Sequence, residues 1–262
     1  ILTLADPTVG STGTETNSCQ LLEGSNVTFK NGTLKSDNNK IMIQNYCNLT
    51  LDNMTVEDTN AQYVVSNNCG NISINNTTIN AGSNANQFAF DVCGYAKYTA
   101  GVTVTVSGTS VINGKVEISK SAGNTELMKL NITSGTFNGD LKVDASVGTE
   151  NAQSIISVSG GTFSDPSVLK YMATNATVDI KLLSNINIAK TELATGYILN
   201  AANATANLNL NGHDIINSSE TADATPFTQI FTVQNGTLNI SGNGNVKCDA
   251  SATAKDDGYR MV

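Results

Sequence analysis

One pattern limits this chain more than any other. It is an eight-residue unit: apolar, polar, apolar, polar, a small residue or Asn, any residue, Ser/Thr/Asp, and a last apolar residue. It first reads Val27-Thr28-Phe29-Lys30-Asn31-Gly32-Thr33-Leu34 and returns as Leu49-Thr50-Leu51-Asp52-Asn53-Met54-Thr55-Val56. Further copies start at Ile72, Val104, Leu130, Ile156 and Leu208, and Leu238 through Val246 is the same unit with one extra residue. Start-to-start spacings are 22, 23, 32, 26, 26, 52 and 30, the 52 reading as two turns of 26. Alternation at period two marks a strand with one buried face. Asn or Gly at the fifth position marks a bend, because both tolerate left-handed dihedrals.

Short strands and tight bends at this period predict an all-β parallel solenoid, in which each turn buries its apolar face only against its neighbours. Leucine-rich repeats share the period but need an L-x-x-L-x-L run that is absent, and a propeller blade needs about 40 residues. About nine or ten coils, stacked at ~4.8 Å, are expected from these spacings. The β-helix is placed at residues 21–248, with 1–20 as an N-terminal extension or cap. Residues 249–262 form a C-terminal segment, truncated or continuing the solenoid. Asp165 followed by Pro166 predicts a short inserted helix near 165–173. Residues 175–206 keep the apolar content in a looser register, with a strand and a bend.

Five cysteines are too few for a disulfide scaffold in 262 residues. Ile41–Cys47 aligns with Tyr63–Cys69 at an offset of 22, and Cys93 follows at a further offset of 24. Cys47, Cys69 and Cys93 are therefore expected as an internal stack of free thiols, with no flanking Lys, Arg or His apparent to activate them. One histidine and no C-x-x-C give no zinc pattern. A net charge of −8 with a single arginine, Arg260, argues against nucleic acid. No apolar stretch approaches the length that a membrane helix needs. The opening Ile1-Leu2-Thr3-Leu4-Ala5-Asp6 has no initiator Met and no apolar h-region, and reads as the start of a processed or excised piece. Asn, Thr and Ser make up roughly a third of the chain, and the repeat places many of them at outward strand stations and bends, where repeated Asn can form ladders. Asn-x-Ser/Thr occurs 13 times, and the repeat itself supplies the excess, so glycosylation is not required.

The segments Ser159-Gly160-Gly161-Thr162-Phe163-Ser164, Leu208-Asn209-Leu210-Asn211-Gly212-His213 and Val233 through Gly242 resemble the pectate-lyase-like right-handed parallel β-helix superfamily. More narrowly, they resemble the non-catalytic repeats of gut-bacterial surface proteins and of phage fibres and spikes. The resemblance spans roughly residues 21–248 and implies the right-handed form of the solenoid. It leaves function open, since that fold hosts lyases, hydrolases, adhesins and virion fibres alike. The lyases of the superfamily use an arginine base beside calcium, and Arg260 lies outside the repeat. The hydrolases use clustered aspartates, and here Asp256-Asp257-Gly258 and Gly212-His213-Asp214 stand isolated. No pair of acids is expected at one station of consecutive coils, as glycoside hydrolysis would need. No catalytic, cofactor or metal residue is therefore assigned, and His213 reads as an outward bend residue.

Tyr46, Tyr95 and Tyr98 lie near the cysteine station, where aromatic rings beside Asn or Asp could bind a glycan. The expectation is a non-enzymatic extracellular structural or attachment protein. A phage virion fibre, spike or decoration protein comes first, a cell-surface adhesin-like glycan-binding protein second, and a polysaccharide lyase or hydrolase third. The expected partners are further copies of the chain (a trimer, by family analogy), another virion or surface protein, or a cell-surface glycan. No nucleic acid and no membrane span are expected.

Overall fold

Alternating apolar residues become columns. In a computed structural model of the chain, strands Asn26–Lys35, Asn48–Asp58, Gly70–Asn75, Val102–Ser107, Met128–Ile132 and Ile156–Val158 pair side by side, all in parallel. Their register stacks Val27, Leu49, Ile72, Val104, Leu130 and Ile156 in one column, and Phe29, Leu51, Ile74, Val106, Ile132 and Val158 in the next. These are the first and third positions of the eight-residue unit. Leu49, Leu51, Ile74, Val104 and Leu130 are fully buried, each such side chain contributing roughly 1.5–3 kcal/mol that a single turn could not gain alone.

The structure describes residues 2–3, 17–37, 40–95, 97–121, 127–188, 196–217 and 230–248. The chain divides into two units, Ile1–Gly161 and Thr162–Val262. Within each unit the described residues make a parallel β-solenoid, the all-β architecture that the repeat predicts. The expected C-terminal segment 249–262 lies outside the described residues.

In the first unit a second sheet stacks six strands: Asn17–Leu21, Ile41–Asn45, Tyr63–Asn67, Phe88–Gly94, Lys115–Lys120 and Leu141–Val143. Pairing thus reaches back to residue 17, with Cys19 beside Ile43. The eighth position of the unit forms a further column, Leu34, Val56, Ile79, Ile112 and Phe137. Ile112 occupies it in place of the expected Val111, because that turn is one residue longer. In the second unit, Thr162–Phe163, Thr177–Lys181, Tyr197–Asn209 and Phe231–Ser241 pair in parallel. So do Ile186–Ile188, Ile215–Asn217 and Val246–Cys248. Here the register departs from the sequence alignment: Leu208 pairs with Ile240, not Leu238. Period-two alternation fixes which face is buried but not a slip of two residues.

The bends form as their residues require. Asn31, Asn53 and Asn76 have φ of 58°, 53° and 48°, the left-handed region that Asn enters more readily than most residues. At Gly108, also at positive φ, a Cβ would overlap the side-chain oxygen of Asn76. The inserted helix is a 3-10 helix, Pro166–Tyr171, and the Asp165 carboxylate accepts from the Ser167 amide at 2.7 Å as its N-cap. A second helix, Thr149–Ile155, falls outside the repeat pattern.

The outer faces carry side-chain ladders of one polarity. Asn80 donates to Glu57 at 3.3 Å, Asn113 to Asn80 at 2.8 Å, and Asn138 to Asn113 at 2.7 Å. Asn75 donates to Asp52 and Ser107 to Asn75, both at 3.0 Å. In the second unit Asn207 donates to Asp179 at 3.0 Å, and Asn239 to Asn207 at 2.9 Å. Each of these ladders begins on a carboxylate, which can only accept, and every later turn donates back to the one before. Lys30 and Lys35 lie on the N-terminal side of Asp52 and Glu57 and pair with them. These ion pairs and the asparagine donors hold both carboxyls below the usual carboxylate range.

Candidate functional site

The second sheet of the first unit carries the densest side-chain chemistry. Its register aligns Gln44 with Ser66, and Asp91 with Glu117, while Lys142 follows Glu117. Asp91 and Glu117 are thus acids at one station of consecutive turns, which corrects the expectation that no such pair exists. Asp91 is only 4% exposed. One of its carboxyl oxygens accepts from the Asn67 backbone N–H, and the other lies 3.0 Å from the Ser66 hydroxyl. The side chain of Asn68 donates to that same hydroxyl at 3.0 Å. Burial pushes the Asp91 carboxyl up to about 8; the two hydrogen bonds act against this and the neighbouring Glu117 with it. Glu117, half-buried, accepts from the Tyr63 hydroxyl at 2.6 Å. Burial and then this bond push the Tyr63 phenol far above its ordinary range. Tyr63 stacks on Phe88 at 5.3 Å, and the Lys142 ammonium lies 5.2 Å from the Phe88 ring centre.

One turn of chain away, the three candidate tyrosines come together. Tyr46 and Tyr98 have ring centres 4.8 Å apart, and Tyr95 lies 5.8 Å from Tyr98. They pack with Cys69. Tyr46 and Tyr98 are buried, at 3% and 7% exposure, and only Tyr95 is half-exposed. A sugar-stacking platform presents ring faces, and this cluster turns most of its ring surface inward. Gln44 donates to the Tyr46 hydroxyl, which links the aromatic cluster to the Gln44–Ser66–Asp91–Glu117 column. Burial and the neighbouring Tyr46 phenol push Tyr98 up to about 12.

The thiols divide. Cys47 and Cys69 fall at one station, two residues beyond the Asn45–Asn67 pair. Tyr63 pairs with Phe88 and Val65 with Phe90, an offset of 25. This offset moves Cys93 one residue out of line with Cys69 on the preceding turn, and on the following turn Cys93 pairs with Ser119. Cys19, Cys47, Cys69 and Cys93 are all free. Burial raises every one of them, Cys93 to about 12, which keeps the sulfur protonated and a poor nucleophile. Between the columns, Asn45 and Asn67 stack inside the solenoid with their amides 3.3 Å apart, both without solvent exposure.

Among the described residues no group of three or more His, Cys, Asp or Glu is placed to hold a metal ion. No helix among them is long and apolar enough to cross a membrane. His213 sits half-buried in the bend after Gly212, and its neighbour Asp214 accepts from Lys247 and Asn245, each at 2.9 Å. Asp91 and Glu117 do leave a signal in the sequence. Phe90-Asp91-Val92 and Val116-Glu117-Ile118 are apolar–acid–apolar triplets, related by the same offset that relates Val104 to Leu130. No family model matches this chain, and neither a curated protein nor a solved structure matches it.

Proposed function

We propose that the chain is a non-enzymatic extracellular structural or attachment protein, in the first place a virion fibre, spike or decoration protein of a phage. The observation that carries this reading is the outer coat. Carboxylate-first ladders tie outward side chains to one another turn after turn. Groups that an enzyme would hold ready for a substrate are here committed to the scaffold. The free thiols support a chain that folds under reducing conditions before release, since exported proteins meet oxidants as they fold. Titration with a thiol reagent after denaturation, without reductant, should find all five thiols. Finding two disulfides would favour a bacterial surface adhesin instead, with the half-exposed Tyr95 as the part of the aromatic cluster open to a glycan.

The enzymatic reading is favoured by one observation, the Asp91–Glu117 pair, in which burial keeps one acid protonated beside another. Against it, both Asp91 oxygens are engaged by Asn67 and Ser66. A screen of acidic polysaccharides for new reducing ends or unsaturated products should find none. Product formation that is lost in Glu117→Gln would overturn the structural reading.

A further inference from the structure

Two demands of the fold meet at the corner after strand Thr136–Phe137. The outer ladder uses an amide at Asn138, and the close stacking of turns requires glycine at Gly139. A Cβ on Gly139 would overlap the Gly114 carbonyl and lie 2.8 Å from the Lys115 nitrogen, so no larger residue fits against the preceding turn. The resulting Asn138-Gly139 pair sets a side-chain amide beside the least hindered backbone nitrogen that a chain can offer. The Asn138 N–H donates to the Ile112 carbonyl, and the Asp140 carbonyl accepts from the Val116 N–H. Between them, the Gly139 N–H has no acceptor among the described residues.

Asn138 is exposed and is the last rung of its ladder. Its nitrogen donates to Asn113, while its oxygen accepts from no side chain among the described residues. At the offset that relates Leu130 to Ile156, the next turn carries Ser164, where the chain leaves the repeat for the 3-10 helix. Asn113-Gly114, one turn earlier, is the same dipeptide in a different setting. Asn113 is half-buried and held on both sides, its oxygen by Asn138 at 2.7 Å and its nitrogen by Asn80 at 2.8 Å. In the second unit, Asn211-Gly212 has its nucleophile engaged. The Gly212 N–H donates to the Asn243 carbonyl, and the Asn211 amide to the Leu182 carbonyl.

We infer that Asn138 is a self-modifying residue, deamidated by attack of the Gly139 nitrogen, while hydrogen bonds hold back Asn113 and Asn211. In the first step the Gly139 nitrogen bonds to Cγ of Asn138 and the Cγ–Nδ2 bond breaks. The proton of the Gly139 N–H, passed through solvent, leaves on the departing ammonia. Water then opens the five-membered imide at either carbonyl, giving aspartate or isoaspartate and a proton. The new carboxylate can only accept, so the rung to Asn113 is lost. The isoaspartate form also lengthens the backbone by one atom at a corner that has no spare room. Water is the sole co-reactant, so the inference is independent of what the protein attaches to, binds or cleaves.

The test is a time course of the folded chain in warm, mildly alkaline buffer, read by peptide mass mapping and by isoaspartyl methyltransferase labelling. The urea-unfolded chain in the same buffer shows the rate of each Asn-Gly pair without the fold. There Asn113, Asn138 and Asn211 should react at similar rates. In the folded chain Asn138 should react several-fold faster than Asn113 or Asn211. Asn138→Ala removes the donor to Asn113 and makes Asn113 the last rung, so the reaction should move to Asn113. Circular dichroism checks that this variant keeps its β-signal. A folded chain in which Asn138 reacts no faster than Asn113 would overturn the inference, and so would an Asn113 rate that Asn138→Ala leaves unchanged.

Discussion

Replacing Asp91 with Asn should flatten the pH dependence of the stability of the first unit. In the unfolded chain the Asp91 carboxyl titrates near 3.9, and in the fold near 8. Between those values the native state holds a proton that the unfolded state has lost. Stability therefore falls as pH rises across this window and levels off above about 8. The slope cannot exceed ~1.4 kcal/mol per pH unit for one group, so the loss from pH 5 to pH 8 has a ceiling of roughly 4 kcal/mol. Asparagine reproduces the protonated acid closely. Its oxygen can accept from the Asn67 N–H and its amide can donate to the Ser66 hydroxyl. Urea denaturation at pH 5, 6.5, 8 and 9 measures the effect. Parent and Asp91→Asn should be similar at pH 5, with the variant the more stable by pH 8. Parallel curves for the two proteins would refute the buried, protonated carboxyl.

Asn53→Ala should destabilise by about 1–2 kcal/mol, the cost of a left-handed L-residue, and should also break the 3.0 Å bond to Asn31; Asn53→Gly should recover the backbone part, as urea midpoints would show. Gly108→Ala should destabilise by more than the ~1 kcal/mol that a tolerated glycine replacement can gain, because φ is positive there and the new Cβ meets the Asn76 side chain; a thermal melt unchanged from the parent would contradict that packing. Native Cys93 should resist iodoacetamide at pH 7.5, its thiol being pushed up to about 12, and should react once urea unfolds the chain, as peptide mass spectrometry can follow.

Much of this fold is legible in the sequence because a solenoid repeats its buried face. Columns such as Val27–Leu49–Ile72–Val104–Leu130–Ile156 can be read from alternation and spacing alone. The departures have two physical causes. Alternation identifies a face but not a slip of two residues, so Leu208 pairs two residues from its sequence match, whereas Ile112 takes the place of Val111 because the bend before it holds one extra residue. The candidate site is less legible. The tyrosines come together, but the burial of Tyr46 and Tyr98 depends on packing that no spacing reports. Asp91 and Glu117 are hidden from the eight-residue unit because that unit tracks the first sheet, whereas these acids lie on the second. There a register shift between Lys115 and Val116 interrupts the pattern.

The one-way ladders make a turn of this solenoid an interchangeable part. Asn113 accepts from the turn above and donates to the turn below through the same short side chain. Removing its turn would leave Asn138 to meet Asn80 with the same donor and acceptor, and duplicating it would add one more identical link. Gene-level gain or loss of whole turns therefore leaves the surface chemistry self-consistent, provided the carboxylate that begins each ladder is kept. Length can change in steps of one turn, while the acids at Asp52, Glu57 and Asp179 fix where each ladder starts.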